Sequence, residues 1–179
     1  VVRYWAWLMS AVRGDLGISA VQGQSVAALI APRLGVTVTL AALAFAIGVV
    51  GSLALGSASA FVRRSRWPVR GFEYLAFAFP QFWVALVLLL LFAVRRSWFP
   101  MFGADSLSHY VLPAVALSLG NIAVLSRTVR ASLLEGGTRY HLIAARAFGL
   151  SWWRTYWVHA LPNALVPIAT VAAIQMGYL

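Results

Sequence analysis

The sequence LGVTVTLAALAFAIGVVGSLALGSASAFV, residues 34–62, decides the fold because it contains no charged side chain. At ~1.5 Å per residue, a helix of this length exceeds the ~30 Å hydrocarbon core of a bilayer, so we expect it to cross a membrane and to tilt or protrude. Three more apolar runs follow, at about 72–94, 110–126 and 161–179. The pattern predicts an all-α protein, a polytopic membrane helical bundle with about four transmembrane helices.

Two of these runs contain residues that are unusual in a spanning helix. The run 72–94 carries Glu73 at one edge and Pro80 inside, and the run 110–126 is somewhat short and contains Asn121. A transmembrane helix tolerates an internal proline when neighbouring groups satisfy the carbonyl that it frees. We therefore expect each run to form one span.

The composition of the whole chain also indicates a membrane protein. Hydrophobic residues make up 62% of the 179 residues and charged residues only 10%, against about 25% in an ordinary soluble domain; the mean hydropathy is +0.85. Cysteine is absent, which excludes disulfides, thiolate metal sites and cysteine nucleophiles. The net charge of +10 comes from arginines that cluster between the apolar runs, a pattern typical of membrane topology rather than of nucleic-acid binding.

The distribution of arginine predicts the orientation of the chain in the membrane. Segments 63–71 and 127–160 together hold nine arginines, whereas 1–33 and 95–109 together hold five. Because Lys and Arg are enriched in the segments that face the cytoplasm, we expect 63–71 and 127–160 to be cytoplasmic.

Residues 1–33 are expected to form an extracytoplasmic segment, and residues 34–179 a transmembrane domain. The aromatic residues between positions 4 and 7 suit the membrane–water interface, and 25–30 is predicted to be a short interfacial helix that ends before Pro32. The chain begins without an initiator methionine and ends inside an apolar run. We therefore interpret it as a fragment of a longer protein.

Small residues recur at every fourth position of the first predicted span, at Ala44, Gly48, Ser52, Gly56 and Ala60. On a helix they form one slowly drifting stripe. Such a stripe lets the backbones of two helices approach closely in lipid. We interpret it as helix packing within this protein, and the alternative is a face that moves against a partner subunit.

The residues that suggest catalysis or metal binding do not combine into a site. Asp105, Ser108 and His109 lie close together, but a hydrolase triad needs a shielded arrangement, and we interpret this stretch as an ordinary polar loop. His109 is predicted to lie on the opposite side of the membrane from His141 and His159. The sequence contains no phosphate-binding glycine motif, so we expect no catalytic residue, no metal and no bound cofactor.

Uncharged polar side chains occur within the predicted spans. Gln81, Asn121 and Gln175 are candidates for lining a pathway, and the alternative is hydrogen bonding between helices. An intramembrane relay of charged residues is not visible in the sequence, which argues against a proton- or ion-coupled carrier. A transporter of this kind must take its energy from another source.

The segment 127–160 is predicted to protrude into the cytoplasm as a pair of helices. Residues 127–135 continue the third span and are expected to stop at the glycine pair 136–137. A second helix fits 139–148 and ends at Gly149, as expected of a glycine C-cap.

A third helical piece follows over 152–159, with Ser151 as its N-cap, and Pro162 is expected to open the fourth span. The piece is rich in tryptophan, tyrosine and arginine, which are enriched at protein–protein interfaces. An amphipathic helix lying among lipid headgroups is the alternative. The residues alone leave both interpretations open.

Ala144, Ala145, Gly149, Leu161 and Pro162 follow a known spacing. The corresponding signature is Glu-Ala-Ala, three residues, Gly, nine residues, Ile, one residue and then Leu-Pro. The segment therefore resembles the cytoplasmic coupling loop of bacterial ABC importer permeases.

Two departures from that signature indicate one branch of the family. Ile143 stands in place of the Glu, and His159 stands in place of the Ile. With ARAFGLS at 145–151 and HALPNALVP at 159–167, the segment resembles the dipeptide/oligopeptide/nickel permeases.

A second match lies far away in the sequence. RGDLGIS at 13–19 resembles the stretch before the second span of the same branch, and IAPRLGVTVTL at 30–40 resembles the start of that span, although Gly35 stands where the family favours proline. Because the family has six spans, the chain would correspond to spans two to five.

The resemblance implies a permease subunit of an ATP-driven importer in the bacterial inner membrane, which forms the translocation pathway for peptides or similar small solutes. It implies as partners a second, related permease, two cytoplasmic ATPase subunits, an extracytoplasmic solute-binding protein and the lipid membrane. ATP would bind to the ATPase, so the chain itself is not expected to be an enzyme. The alternative is a truncated, nonfunctional permease or a non-transport membrane scaffold.

The resemblance also implies that residues 140–160 couple the spans to the ATPase. Ala144 and Ala145 would allow close approach, and Gly149 would supply the turn. Two arginines of the loop would pair with acids of the ATPase. The expected coupling residues are Ala144, Ala145, Arg146, Gly149, Arg154, His159, Leu161 and Pro162.

Overall fold

The computed structural model describes residues 2–179, except for the side chains of 2, 136–139, 141 and 142. The side chain of His141, a candidate ligand in the sequence, therefore lies outside the described residues. Every regular element in the described part of the chain is a helix, which confirms the predicted all-α class. The chain forms two compact units, one that ends at Leu40 and one at Ala41–Leu179, and each is described by itself.

The N-terminal unit contains helix α1, Val2–Val12, and the first residues of α2, Val26–Phe61. Between the two helices, Ile18 and Ser25 form an isolated antiparallel bridge. Helix α1 has 11 residues, about half the number that a helix needs to cross a bilayer.

The prediction of a separate short helix at 25–30 is wrong, because Pro32 lies inside α2. A proline removes one hydrogen bond of the helix and presses on the carbonyl four residues earlier. In the same turn, the guanidinium of Arg33 donates to the carbonyl of Leu29 over 2.7 Å. The arginine side chain thus adds a hydrogen bond in the turn that contains the proline, at the carbonyl next to the one that the proline leaves without its N–H.

The second unit contains the rest of α2 and a series of shorter and longer helices. In its described residues these are α3 Arg66–Ala78, α4 Gln81–Leu88, α5 Leu107–Leu134, α6 Gly136–Ala147, α7 Trp152–Thr155 and α8 Leu161–Met176. A 3-10 turn at Arg63–Ser65 precedes α3, and π-helical turns at Leu89–Arg95 and Tyr156–Ala160 follow α4 and α7.

Three helices of the described chain are long and apolar enough to cross a membrane, namely Val26–Phe61, Leu107–Leu134 and Trp152–Met176. A fourth span exists only if the bent pair Arg63–Ala78 and Gln81–Arg95 counts as one. The prediction of a multi-pass helical membrane protein is therefore confirmed.

The prediction of one continuous helix over 72–94 is wrong, because the two halves of the bent pair meet at 104°. Phe79 (ψ 132°) and Pro80 (ψ 139°) both have extended backbone. The proline ring disfavours helical backbone at the residue before it and offers no N–H to continue the ladder. The helix therefore breaks at Pro80 instead of tolerating it.

Helix α5 combines the third predicted span and its predicted continuation over 127–135 in 28 residues. It ends because Glu135 takes an extended backbone with ψ 147°. The prediction that the glycine pair 136–137 stops the helix is wrong by this small shift, since both glycines belong to α6.

As predicted, Pro162 lies in the first turn of α8, which begins at Leu161, and α8 is the larger part of a continuous helix, Trp152–Met176. The π-helical turn Tyr156–Ala160 widens this helix just before the proline. Asn163 Nδ2 donates to the carbonyl of His159 over 2.6 Å, which satisfies an acceptor in the turn that Pro162 disturbs. The helix therefore passes through the proline without ending.

The core of the second unit lies where α2, α5 and α8 meet. Small and aliphatic side chains form one buried cluster, Ala60, Val129, Leu133, Ala160, Ala164 and Ile168. The alanines keep the helices close together, as is usual where helices pack in lipid.

The stripe of small residues on α2 lies on the buried side of that helix. Ala44, Gly48, Ser52, Gly56 and Ala60 are all buried. A Cβ atom added to Gly48 would lie 3.3 Å from the Cβ of Asn121, and one added to Gly56 would lie 2.6 Å from the Cβ of Val129. The stripe thus packs closely against α5 within the chain.

Candidate functional site

Helix α6 ends in a complete Schellman motif. Gly149 has φ +79°, the left-handed conformation that glycine adopts without steric cost. Leu150 N–H donates to the carbonyl of Ala145 over 3.2 Å, and Gly149 N–H donates to the carbonyl of Arg146 over 2.9 Å. These two bonds satisfy the last carbonyls of α6 and turn the chain sharply towards α7.

Helix α7 starts at a side-chain cap and packs on the C-terminal end of α2. The Ser151 hydroxyl accepts from Arg154 N–H over 3.4 Å. The ring of Trp152 meets Phe61 edge to face at 4.6 Å, and the hydroxyls of Tyr156 and Ser57 are 2.7 Å apart. One end of the continuous helix Trp152–Met176 is thereby held against α2.

The eight residues expected in the coupling loop divide into a buried and an exposed set. Ala145 and Leu161 are buried, and His159 is half-buried. The exposed residues are Ala144, Arg146, Gly149, Arg154 and Pro162, and the guanidinium of Arg146 lies 5.9 Å from the ring of Trp152. The buried residues attach the helix pair α6–α7 to the bundle, and the exposed residues form the outer surface of this pair.

Large apolar side chains stand out from the same helix pair. Tyr140, Ile143, Phe148 and Trp153 are 75%, 57%, 87% and 69% exposed. Clustered exposed apolar side chains mark sites of contact with a protein or a membrane. The helix pair therefore exposes apolar side chains beside its arginines.

Gln81, Asn121 and Gln175, which are distant in sequence, line one cavity of about 380 Å³ together with Phe77 and Tyr178. Gln175 Nε2 donates to Asn121 Oδ1 over 3.0 Å. Gln81 Nε2 lies 3.5 Å from the carbonyl of Leu117, at the limit of a hydrogen bond. The cavity wall thus combines three carboxamides with aromatic rings.

Asn121 sits between this cavity and the small-residue stripe. Its side chain is 5% exposed, and its Nδ2 has no hydrogen-bond partner among the described residues. A buried donor without a partner carries a desolvation cost of about 1–3 kcal/mol.

The polar loop before α5 has a structural use. Ser106 N–H donates to His109 Nδ1 over 3.3 Å, and the hydroxyls of Ser106 and Ser108 are 2.7 Å apart. These bonds cap the N-terminus of α5. Because His109 is engaged in this exposed cap, the arrangement lacks the shielded geometry of a hydrolase triad.

A buried ion-pair cluster was not predicted from the sequence. Glu73 is 2% exposed, and its two carboxylate oxygens accept from Arg130 Nη1 and Nη2 over 2.8 and 3.1 Å. Arg127 Nε and the Ser126 hydroxyl also donate to Glu73, over 3.3 and 2.9 Å. The available signals were that Glu73 is the only acid within the predicted spans and that Arg127 and Arg130 are three residues apart, which places both on one helix face.

Comparisons with known proteins agree with the resemblance in the sequence. The sequence model of the family "Binding-protein-dependent transport system inner membrane component" matches residues 48–179. The chain is 36% identical over 180 aligned residues to the glutathione transport system permease protein GsiC of Escherichia coli O6:H1 and 35% identical to that of Escherichia coli K12. The corresponding protein of Shigella boydii serotype 4 is 34% identical.

Each of these alignments covers 99% of the chain and 58% of the relative. The chain therefore spans a little more than half the length of the curated relatives that it matches. The matched region 48–179 includes the helix pair, the carboxamide-lined cavity and the Glu73 cluster. The chain belongs to the family of inner-membrane permease components of binding-protein-dependent ABC importers.

Proposed function

We propose that the chain is the permease subunit of an ATP-driven importer and forms part of the translocation pathway for peptides or similar small solutes. The relatives are glutathione transport system permease proteins, and glutathione is a small peptide. The cavity lined by Gln81, Asn121 and Gln175 supports this substrate class, since carboxamides can both donate to and accept from peptide groups.

The observation that carries the proposal is the helix pair α6–α7, which turns at Gly149 and exposes Phe148 and Trp153. In our proposal this pair, within residues 140–160, docks on a cytoplasmic ATPase. Segments 63–71 and 127–160 then face the cytoplasm, in keeping with their nine arginines.

Coupling follows from the continuity of the helix Trp152–Met176. When the ATPases close on ATP, they push α7, and the same helix carries the displacement into the span. Rigid displacement of packed helices is a common form of switching. Such a push would alternate the pathway between inward- and outward-facing states.

Each coupling residue has a proposed role that suits its exposure. Ala144 and Gly149 are exposed and let the ATPase approach closely, because they are small. Ala145 is buried against the bundle, where a larger side chain would displace α6. His159, Leu161 and Pro162 lie where the helix enters the span.

Arg146 and Arg154 are exposed and pair with acids of the ATPase in our proposal. The further partners are a second, related permease, a second ATPase and an extracytoplasmic solute-binding protein, all within or at the lipid membrane. ATP binds to the ATPases, and the chain itself supplies no catalytic residue and no cofactor site.

The test uses the complete subunit, assembled with its partners in vesicles, and compares Gly149→Asp with Gly23→Asp. Both glycines have positive φ, and no atom lies within 4 Å of an added Cβ at either position. Gly149→Asp places bulk and charge on the docking surface and should abolish uptake of radiolabelled glutathione or a labelled dipeptide without lowering the amount in the membrane. Gly23→Asp should transport normally.

Normal uptake by Gly149→Asp would refute the docking role. A second measurement separates the alternatives, since the chain has no cysteine and Phe148→Cys can carry a photo-crosslinker. We expect crosslinks to the ATPase. Crosslinks to lipid alone would support an interfacial helix instead, and failure of the complete subunit to co-purify with the ATPase would support a scaffold or a nonfunctional permease.

A further inference from the structure

The Glu73 cluster joins three helices of the second unit. Ser59 comes from α2, Glu73 from α3, and Ser126 and Arg130 from α5. Arg130 Nη1 donates both to Glu73 Oε1 over 2.8 Å and to the Ser59 hydroxyl over 3.1 Å. A single guanidinium therefore ties α3 and α2 to α5.

The geometry of this link is stiff. Arg130 binds both oxygens of the carboxylate, and such a fork-to-fork pair fixes the relative orientation of the two side chains. Glu73 is 2% exposed, and the side chain of Arg130 is 17% exposed; buried charges in proteins are paired and hydrogen-bonded. Helix α3 is thus held to α5 in one arrangement.

The cluster lies between the helix pair and the cavity. Arg130 stands four residues before the end of α5 at Leu134, and α6 begins at Gly136. On the other side, the Arg127 guanidinium lies 4.8 Å from the ring of Phe77, and Phe77 lines the carboxamide cavity. A continuous series of contacts therefore runs from Arg130, near the end of α5, through Glu73 and Arg127 to the cavity wall at Phe77.

We propose that Glu73 is a positioning residue that locks α3 to the C-terminal part of α5, so that a displacement delivered to α6 moves the cavity wall at Phe77. This proposal rests on the proposed docking of the helix pair on an ATPase. Such a contact between α3 and α5 is needed because the helix breaks at Pro80. The backbone therefore does not fix the position of α3, and side-chain contacts must do so.

The alternative is that Glu73 only holds the fold together, and a distance measurement separates the two. In the complete subunit with its partner permease and ATPases, spin labels are placed on α3 and α5 through Leu75→Cys and Ala131→Cys. Both positions are exposed, and the chain contains no cysteine of its own. Pulsed electron-spin measurements then compare the nucleotide-free and the ATP-trapped states.

With Glu73 intact, we expect one narrow distance distribution that is the same in both states, because α3 and α5 move together. In Glu73→Gln, which keeps an acceptor for Ser126 but removes the charge, the mean distance should shift on ATP trapping by about 1–2 Å or more, the scale of helix shifts in switching proteins. Asp105→Asn is the control, because it removes an exposed acid that lies far from the cluster in sequence.

Arg130→Lys keeps the positive charge but cannot bind both carboxylate oxygens in the same way. It is the second test variant if the subunit with Glu73→Gln does not assemble with its partners. It should broaden the distribution. An ATP-dependent distance with Glu73 intact, or unchanged distances in both variants, would overturn the lock.

A label pair from Tyr140→Cys on α6 to the ATPase tests the proposed function separately. Absence of proximity there refutes the docking. Proximity together with unchanged α3–α5 distances in the Glu73 variant refutes only the lock.

Discussion

Replacement of Gly56 by alanine is a sensitive test of the contact between α2 and α5. An added Cβ would lie 2.6 Å from Val129 Cβ and 2.8 Å from the backbone carbonyl of Ser126, whereas carbon atoms pack best at about 3.5–4.0 Å. Because a backbone carbonyl cannot rotate aside, the two helices must separate by roughly 1 Å.

The expected loss of stability is the difference of two effects. Overpacking of a well-packed contact costs about 1–3 kcal/mol, and replacing glycine by alanine inside a helix returns about 0.5–1 kcal/mol. We therefore expect Gly56→Ala to lower the free energy of unfolding by roughly 1 kcal/mol, within a range of about 0–2.5 kcal/mol.

Two other glycines serve as matched controls. Gly51→Ala would meet only the side chain of Ile122, whose terminal Cδ1 lies 2.9 Å away, and Gly71→Ala would meet nothing within 4 Å. A side chain can move aside more readily than a backbone carbonyl, so Gly51→Ala should cost less stability than Gly56→Ala. Gly71→Ala should stabilise by about 0.5–1 kcal/mol, because only the helix propensity changes.

The assay is denaturant unfolding of the purified chain in detergent, followed by the fluorescence of its eight tryptophans. We expect Gly71→Ala to be the most stable of the three variants, Gly51→Ala to be intermediate and Gly56→Ala to be the least stable. If Gly56→Ala proves as stable as Gly71→Ala, the close approach of α2 to α5 in this structure is wrong.

Three further substitutions have specific expected outcomes. Gly149→Val should destabilise the turn by about 1–2 kcal/mol, because a β-branched residue resists φ +79°, whereas Gly149→Asn should cost less. Proteolysis rates of the helix pair measure the difference, and equal rates for the two variants would contradict the left-handed turn. Pro80→Ala restores an N–H and frees Phe79 to become helical, so the distance between spin labels at Leu75→Cys and Leu86→Cys should increase; an unchanged distance would mean that tertiary contacts hold the 104° break. Tyr156→Phe removes the 2.7 Å hydrogen bond with Ser57. A double-mutant cycle with Ser57→Ala should give a coupling energy of ~0.6 kcal/mol. If the stability losses of the two substitutions simply add, the hydrogen bond contributes nothing to stability.

The helical class and most of the spans were predictable because they depend on local properties. The apolar run 34–62 has no charge and lies almost entirely in helix Val26–Phe61, because a long apolar segment in lipid must satisfy its backbone groups internally. The turn at Gly149 was also local, since it needs one residue with positive φ after a helical pattern.

The two larger errors concern prolines, whose effect depends on their surroundings. Pro32 lies inside a helix and Pro162 lies in the first turn of one, as expected, whereas Pro80 breaks a helix. Near the first two, the side chains of Arg33 and Asn163 donate to a backbone carbonyl. The sequence around Pro32 and Pro80 does not show that the first is accommodated in a helix and that the second breaks one.

The spacing of Ala144, Gly149 and Leu161 identified the family without any coordinates, because such a signature depends only on order and distance along the chain. The Glu73 cluster could not be found in that way. Glu73 and Arg130 are 57 positions apart, and an acid at the edge of an apolar run is as compatible with a solvated helix end as with a buried ion pair. Only the packing of α3 against α5 removes the carboxylate from water and brings two guanidinium groups to it, since burial and pairing of a charge are properties of the assembled helices.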